Sequence, residues 1–283
     1  MASQQLHIHL ITLQKGSTAQ DVLRTITDGL IIKGKPHGWV HQPHSLDRHR
    51  LLAHAWHLFF VTKESKLQNG ALEHVRAHIT IPFSLPKDQF EQLQSTSTSR
   101  PRASDKTPPL PQEWQGGDIP KSAITSAREG SLRPGELHLD PLMTEFLFNA
   151  LPVELSNEPV SLFNLFKYKG SSAVHDDYME DFKKGFGSSA GATVRFMAPV
   201  SGPSTSDGDD HPKQSWDDAN FVQYDTIWHY AYMLSTDLYA PMNKKKVSGL
   251  DDTCILCVSE VELWLWEDQN KMSSEHDPLL SHD

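Results

Sequence analysis

Cysteine is nearly missing from this sequence: Cys254 and Cys257 are the only two among 283 residues. That excludes a disulfide scaffold and makes a reducing, cytoplasmic setting the expectation. No stretch approaches the ~20 consecutive apolar residues that span a bilayer. Before residue 30 nothing reads as a secretory leader, because LHIHLITL at residues 6–13 carries two histidines and follows no basic segment. No GxGxxG fingerprint and no HExxH occurs, and the Lys-Gly-Ser turns lack the spacing of a phosphate loop. A basic stripe with interleaved aromatics is also missing. The formal charge is -10, split as 10 Lys+Arg against 7 Asp+Glu over residues 1–94 and 16 against 29 over the rest. Nucleic acid is therefore excluded as the expected partner, since phosphate neutralisation dominates such binding. A membrane partner has no more support.

What is present is enough to build a core. The apolar set AVILMFWYC makes up 37% of the chain, sufficient for one large core or two fused small ones. Two runs stand out, LLAHAWHLFFV at residues 51–61 and FVQYDTIWHYAYMLSTDLY at 221–239. Each carries a Trp-His pair, Trp56-His57 and Trp228-His229, in an apolar run that reads as a strand. Their recurrence suggests an internal duplication.

The organisation follows from this. Residues 1–94 read as a first α+β unit: strand 6–13, helix 17–28 capped by Ser17, strands near 37–42, 51–61 and 75–83, and a helix from 86. Residues 95–138 are rich in Ser, Thr and Pro and read as a mobile linker, with Trp114 its one clear anchor. Residues 139–270 read as a second unit with a leading helix. It runs from strand 159–168 through Lys-Gly-Ser into helix 175–186, then strands 192–200 and 221–230, a helix at 232–245 and a strand at 253–266. Residues 271–283 read as a flexible tail. The order in the second block is β-α-β-β-α-β, a ferredoxin-like unit.

The strand-KGS-helix openings, YDTIWHY and the closing ILCVSEVEL resemble the dimeric α/β-barrel (ferredoxin-like) superfamily, specifically EthD-like and small-monooxygenase-like proteins of fungal natural-product pathways. The resemblance is best over residues 159–266, weaker over 6–94 and absent from the linker. It implies an α+β fold in which duplicated ferredoxin-like units form an intramolecular dimeric α/β-barrel with an enclosed small-molecule pocket. It also implies secondary metabolism and a choice among lyase, cyclase, isomerase, monooxygenase and haem chemistry.

Ten of the sixteen histidines lie within residues 7–78. On alternating strands, His9, His54 and His78 could converge into a polar cluster with Arg76 on the His78 face. Such a cluster serves proton transfer near neutral pH, binds a metal, or is a satisfied sheet face. No compact metal motif favours the second choice, and no metal is assigned. In the second block His229, assisted by Arg195, is the catalytic candidate. Trp56, Tyr224, Trp228 and Arg76 are the substrate-contact candidates, although core packing is the plainer use of the aromatics. Cys254 and Cys257 read as core residues, and Lys244-Lys245-Lys246 as a solvated helix end.

The resulting expectation is a cofactor-independent enzyme, monomeric or homodimeric. Histidine would move protons on a hydrophobic, carbonyl-bearing, polyketide-like intermediate, by cyclisation, dehydration or decarboxylation. The alternatives are a cofactor-free monooxygenase, a non-catalytic binding or assembly protein, and a haem protein with one axial histidine.

Overall fold

The computed structural model describes residues 2–26, 29–115, 117–125, 133–203, 205–206 and 215–275. The first part of the chain runs β1 (Ser3–Leu13), α1 (Ala19–Leu23), β2 (Leu30–His41), α2 (Arg48–Leu51), β3 (Leu58–Thr62), α3 (Asn69–Leu72), β4 (Val75–Pro86) and α4 (Lys87–Thr96). Short 3-10 turns and α5 (Pro141–Asn149) follow, then β5 (Val160–Tyr168) and α6 (Ala173–Asp181). A π turn, Phe182–Phe186, leads to α7 (Gly187–Ser189), β6 (Ala192–Pro199), the two-residue β7 (Thr205–Ser206) and β8 (Asp218–Tyr224). Then come α8 (Ile227–Ser235), α9 (Tyr239–Ser248), β9 (Leu250–Ser259) and α10 (Val261–Glu275). The expected tail at 271–283 begins inside α10, and residues 276–283 lie outside the described residues.

The strands form one antiparallel sheet in the order β6-β8-β5-β9-β2-β3-β1-β4-β7. The β2–β9 ladder, from Lys35↔Ser259 to His41↔Ile255, makes it continuous. This corrects the expected fold. The sheet has two ends and is not closed into a barrel: among the described residues β6 pairs in a ladder only with β8, and β4 pairs with β1 and β7. A lone bridge between Phe83 and Val200 lies outside the ladders and does not close it.

Nor do the Trp-His pairs mark repeated strands. Trp56-His57 lies in the turn between α2 and β3, where Trp56 Nε1 donates to the Leu51 carbonyl at 2.8 Å and His57 N donates to the Ile11 carbonyl at 2.8 Å. Trp228-His229 lies in the first turn of α8. Thr226 ends the strand by capping that helix, its hydroxyl accepting from His229 N at 3.2 Å. Ile227, Tyr230, Ala231 and Leu234 then share one buried helical face. The echo joins a turn to a helix, so it carries no duplication, and the ferredoxin-like pair is withdrawn with it.

Period-two alternation puts Leu6, Ile8 and Leu10 of β1, Phe59 and Val61 of β3, and Phe163 and Leu165 of β5 into one buried cluster. Phe59 stacks on Phe221 with centroids 5.2 Å apart, and Phe83 on Phe196 at 4.8 Å. Each such side chain contributes about 1.5–3 kcal/mol on burial. The face expected to enclose a substrate is thus a packed core. The other face of β5, β8 and β9 packs under α6, α8 and α9, with Trp114 and Ile119 of the 95–138 segment buried in the same cluster. Among the described residues no helix is long and apolar enough to cross a membrane.

Candidate functional site

The expected histidine cluster forms in part. On adjacent strands β1 and β4, His9 Nδ1 lies 2.8 Å from His78 Nε2, and Thr80 Oγ1 lies 3.0 Å from the same His78 nitrogen. His9 Nε2 is 3.0 Å from the Glu64 carbonyl, which can only accept. His9 therefore carries its proton on Nε2 and accepts at Nδ1 from His78. Burial, followed by the neighbouring His78, pushes His9 down to about 3. Its ring stacks on Phe60 at 4.6 Å. Both nitrogens of His9 are thus engaged by the protein itself.

His54 does not join them; it packs edge-on against Trp56 with centroids 6.0 Å apart. Arg76 is exposed. Arg195 on β6 is spent on structure: Nη2 donates to Ser97 Oγ at 2.7 Å, and Nη1 sits 3.0 Å from Gln223 Oε1 and 3.3 Å from Glu260 Oε1. His229 sits on its helix cap, with Nδ1 2.9 Å from Thr226 Oγ1, and half-burial lowers its pKa. Trp228 packs against Phe148, its indole nitrogen unpartnered among the described residues. Tyr224 is the one predicted residue that lines the cavity described next. Among the described residues no group of three or more His, Cys, Asp or Glu is placed to hold a metal.

A cavity of about 40 Å³ lies between the sheet and helices α6, α8 and α9. Alternation on two neighbouring strands supplies its floor: Leu162, Asn164 and Phe166 from β5, and Asn220, Val222 and Tyr224 from β8. Tyr178, Tyr230, Met233 and Tyr239 supply the helical wall. Asn164 Nδ2 donates to Asn220 Oδ1 at 2.8 Å and to the Leu162 carbonyl at 3.0 Å. The Tyr230 hydroxyl has no partner among the described residues.

Into this wall α9 sends Lys246. The buried positions of α9 are Tyr239, Asn243, Lys246 and Val247, spaced as one helical face. Lys244 is exposed and Lys245 pairs with Asp181 at 2.7 Å and Asp177 at 3.0 Å, but the third lysine of the run turns inward. No hydrogen bond or ion pair reaches the Lys246 amine among the described residues, and burial lowers it to about 7. Desolvation disfavours the charged form, and no carboxylate offsets it.

Close by, a second polar chain is buried. Tyr168 OH donates to Asp218 Oδ2 at 2.5 Å, so its oxygen accepts from His175 Nδ1 at 3.1 Å. That fixes the proton of His175 on Nδ1 and leaves Nε2 a bare lone pair, with no partner among the described residues. Burial, and then the charge of Lys246, lowers His175 to about 4; His41 responds to the same pair of causes and also falls to about 4. Burial thus shifts the Lys246 amine toward its neutral form beside the aromatic side chains of this cavity.

Fold and site define an α+β protein with one open antiparallel sheet and a desolvated lysine at the wall of a small cavity. No protein-family model and no curated protein matches the chain. Among solved structures, a protein of unknown function from Rhodopseudomonas palustris aligns at 15% identity with a TM-score of 0.32, covering 42% of this chain and 94% of that one. A likeness so faint carries no argument about fold or chemistry. The resemblance to EthD-like and small-monooxygenase-like proteins fails on the open sheet, which is not the barrel it implied, and no family model supports it; the secondary-metabolism role falls with it.

The sequence reading placed Lys246 with Lys244 and Lys245 on a solvated helix end, and the structure buries it. Three consecutive lysines suggest solvent. The available signal was register: counted from Tyr239 at helical spacing, Lys246 falls with Asn243 and Val247, and Lys244 does not.

Proposed function

We propose that this chain is a small-molecule enzyme whose Lys246 amine adds to the carbonyl carbon of a hydrophobic aldehyde or ketone. The buried amine at the cavity wall, with no hydrogen-bond or ion-pair partner among the described residues, is the observation that supports this reading. The neutral amine forms the C–N bond while the carbonyl oxygen takes up a proton. That proton comes from the amine's own N–H, giving a neutral carbinolamine, which takes one further proton from solvent as it loses water and so leaves a protonated imine. That imine draws electrons from the adjacent bond, so loss of an α-proton or of carbon dioxide becomes easy. In this reading the reacting group is Lys246, in place of the histidines expected from sequence. A cytoplasmic location accords with Cys254 and Cys257 as buried free thiols.

Reductive trapping tests the proposal. At pH 7, acetaldehyde with cyanoborohydride would alkylate Lys246 ahead of exposed lysines, which stay protonated up to about pH 10.4. Peptide mass mapping reads the site. Preferential labelling of Lys246, lost in Lys246→Met, supports the reading; uniform labelling of surface lysines with Lys246 unmodified overturns it.

A further inference from the structure

Leu137 and Tyr239 belong to two cavities at once. On one side they line the Lys246 cavity, and on the other a larger pocket of about 400 Å³ that includes Leu139, Leu234 and Val247. Asn243 ties the shared wall together: its Nδ2 donates to the Leu137 carbonyl at 3.1 Å, and its Oδ1 accepts from Tyr239 OH at 3.3 Å. The inner space of about 40 Å³ admits only the reacting end of a molecule, since one water already needs roughly 10–15 Å³ by this measure. The outer space is about tenfold larger, going from 40 to 400 Å³, and its wall includes aliphatic side chains.

We propose that the substrate is an elongated carbonyl compound whose carbonyl end reaches Lys246 while its apolar body lies in the outer pocket, and that Leu137 sets the chain length admitted. This rests on the role given to Lys246 above. Leu137 is a specificity residue here, because it stands between the two spaces and donates nothing to the chemistry. Its backbone, held by Asn243, fixes where the side chain stands.

The test compares acetaldehyde with octanal, each with cyanoborohydride at pH 7, on the full chain and on Leu137→Ala and Leu137→Phe. Labelling of Lys246 is read by peptide mass mapping, and folding by circular dichroism. Leu137→Ala should raise the octanal-to-acetaldehyde labelling ratio by about tenfold or more, the scale on which pocket methylenes discriminate. Leu137→Phe should lower that ratio below wild type. If Leu137→Ala does not fold, Leu137→Val is read the same way with a smaller rise. A ratio that stays at its wild-type value in the folded variants, with Lys246 still labelled, overturns the partition and leaves the lysine reading standing. Absence of Lys246 labelling by acetaldehyde in the wild-type chain overturns both.

Discussion

Gly135 lies directly over the stem of Lys246: a methyl group on Gly135 would sit 3.5 Å from Lys246 Cε, and still closer to Leu250 and Thr253, at 3.0 and 3.1 Å. Gly135 has φ +75°, and its N–H donates to His41 Nε2 at 3.0 Å. The backbone can therefore cover the lysine only where no side chain intervenes. Gly135→Ala should destabilise the protein by about 1–2 kcal/mol from the left-handed backbone alone. Urea unfolding checks this; an unchanged midpoint would show that the backbone there relaxes freely.

Lys246 should make stability climb with pH. Its folded value of about 7 lies below the ordinary lysine value near 10.4. Between the two the unfolded chain holds the proton and the folded chain does not, so stability rises with pH through that window. The slope from this group reaches up to about 1.4 kcal/mol per pH unit. Below pH 7 both states are protonated and the full cost of the buried charge remains. Lys246→Met should remove the slope and be neutral or stabilising at pH 7, because no partner is left behind. A clear loss of stability in Lys246→Met would point to a partner for the amine.

His9 sets the opposite edge of the stability profile. Its folded value of about 3 lies below its ordinary 6.5, so the unfolded chain takes up the proton first on acidification. Stability should fall as pH drops from 6.5 towards 3, again by up to about 1.4 kcal/mol per unit from this residue. His41 and His175 add to the loss over 6.5 to about 4. His9→Leu should make the acid limb shallower by one proton, read from denaturant curves at several pH values. An unaltered limb would mean that His9 does not stay neutral in the fold.

Arg195 is expected to hold the structure together, with no part in chemistry. With Glu260 it forms a buried pair, the side chains 7% and 5% exposed, and Ser161 Oγ donates to the same carboxylate oxygen at 2.9 Å. Burial raises the Glu260 carboxyl even with Arg195 beside it. Arg195→Leu alone should cost about 3–5 kcal/mol by stranding that carboxylate, and the double change Arg195→Leu, Glu260→Gln should recover much of it. A double-mutant cycle by thermal unfolding measures the coupling. Zero coupling would contradict the pairing.

Much of the strand pattern was open to reading because alternation is local. LHIHLITL and PVSLFNLFKY both announce strands and both are strands, β1 and β5. The Trp-His runs misled for an equally local reason: aromatic and β-branched residues favour strands, whereas Thr226 and Leu51 determine what the backbone does there. Thr226 caps a helix. Leu51 closes a short one and lends its carbonyl to the Trp56 indole. Neither contact is encoded in the apolar pattern itself.

By itself, then, the sequence determined the charge balance, the two unpaired thiols, the want of a long apolar span and the two-residue period of the main strands. These depend on composition and on neighbours along the chain. Tertiary structure alone decided that the sheet stays open and that its shared face fills with Phe59, Phe83, Phe163, Phe196 and Phe221. It also decided the fate of the three lysines. Lys244 meets water, Lys245 meets Asp181, and Lys246 is buried between α9 and the sheet, beneath Gly135. The same side chain has three different chemistries because proton affinity is set by the solvent and charges around an amine, and those are fixed only when distant segments pack.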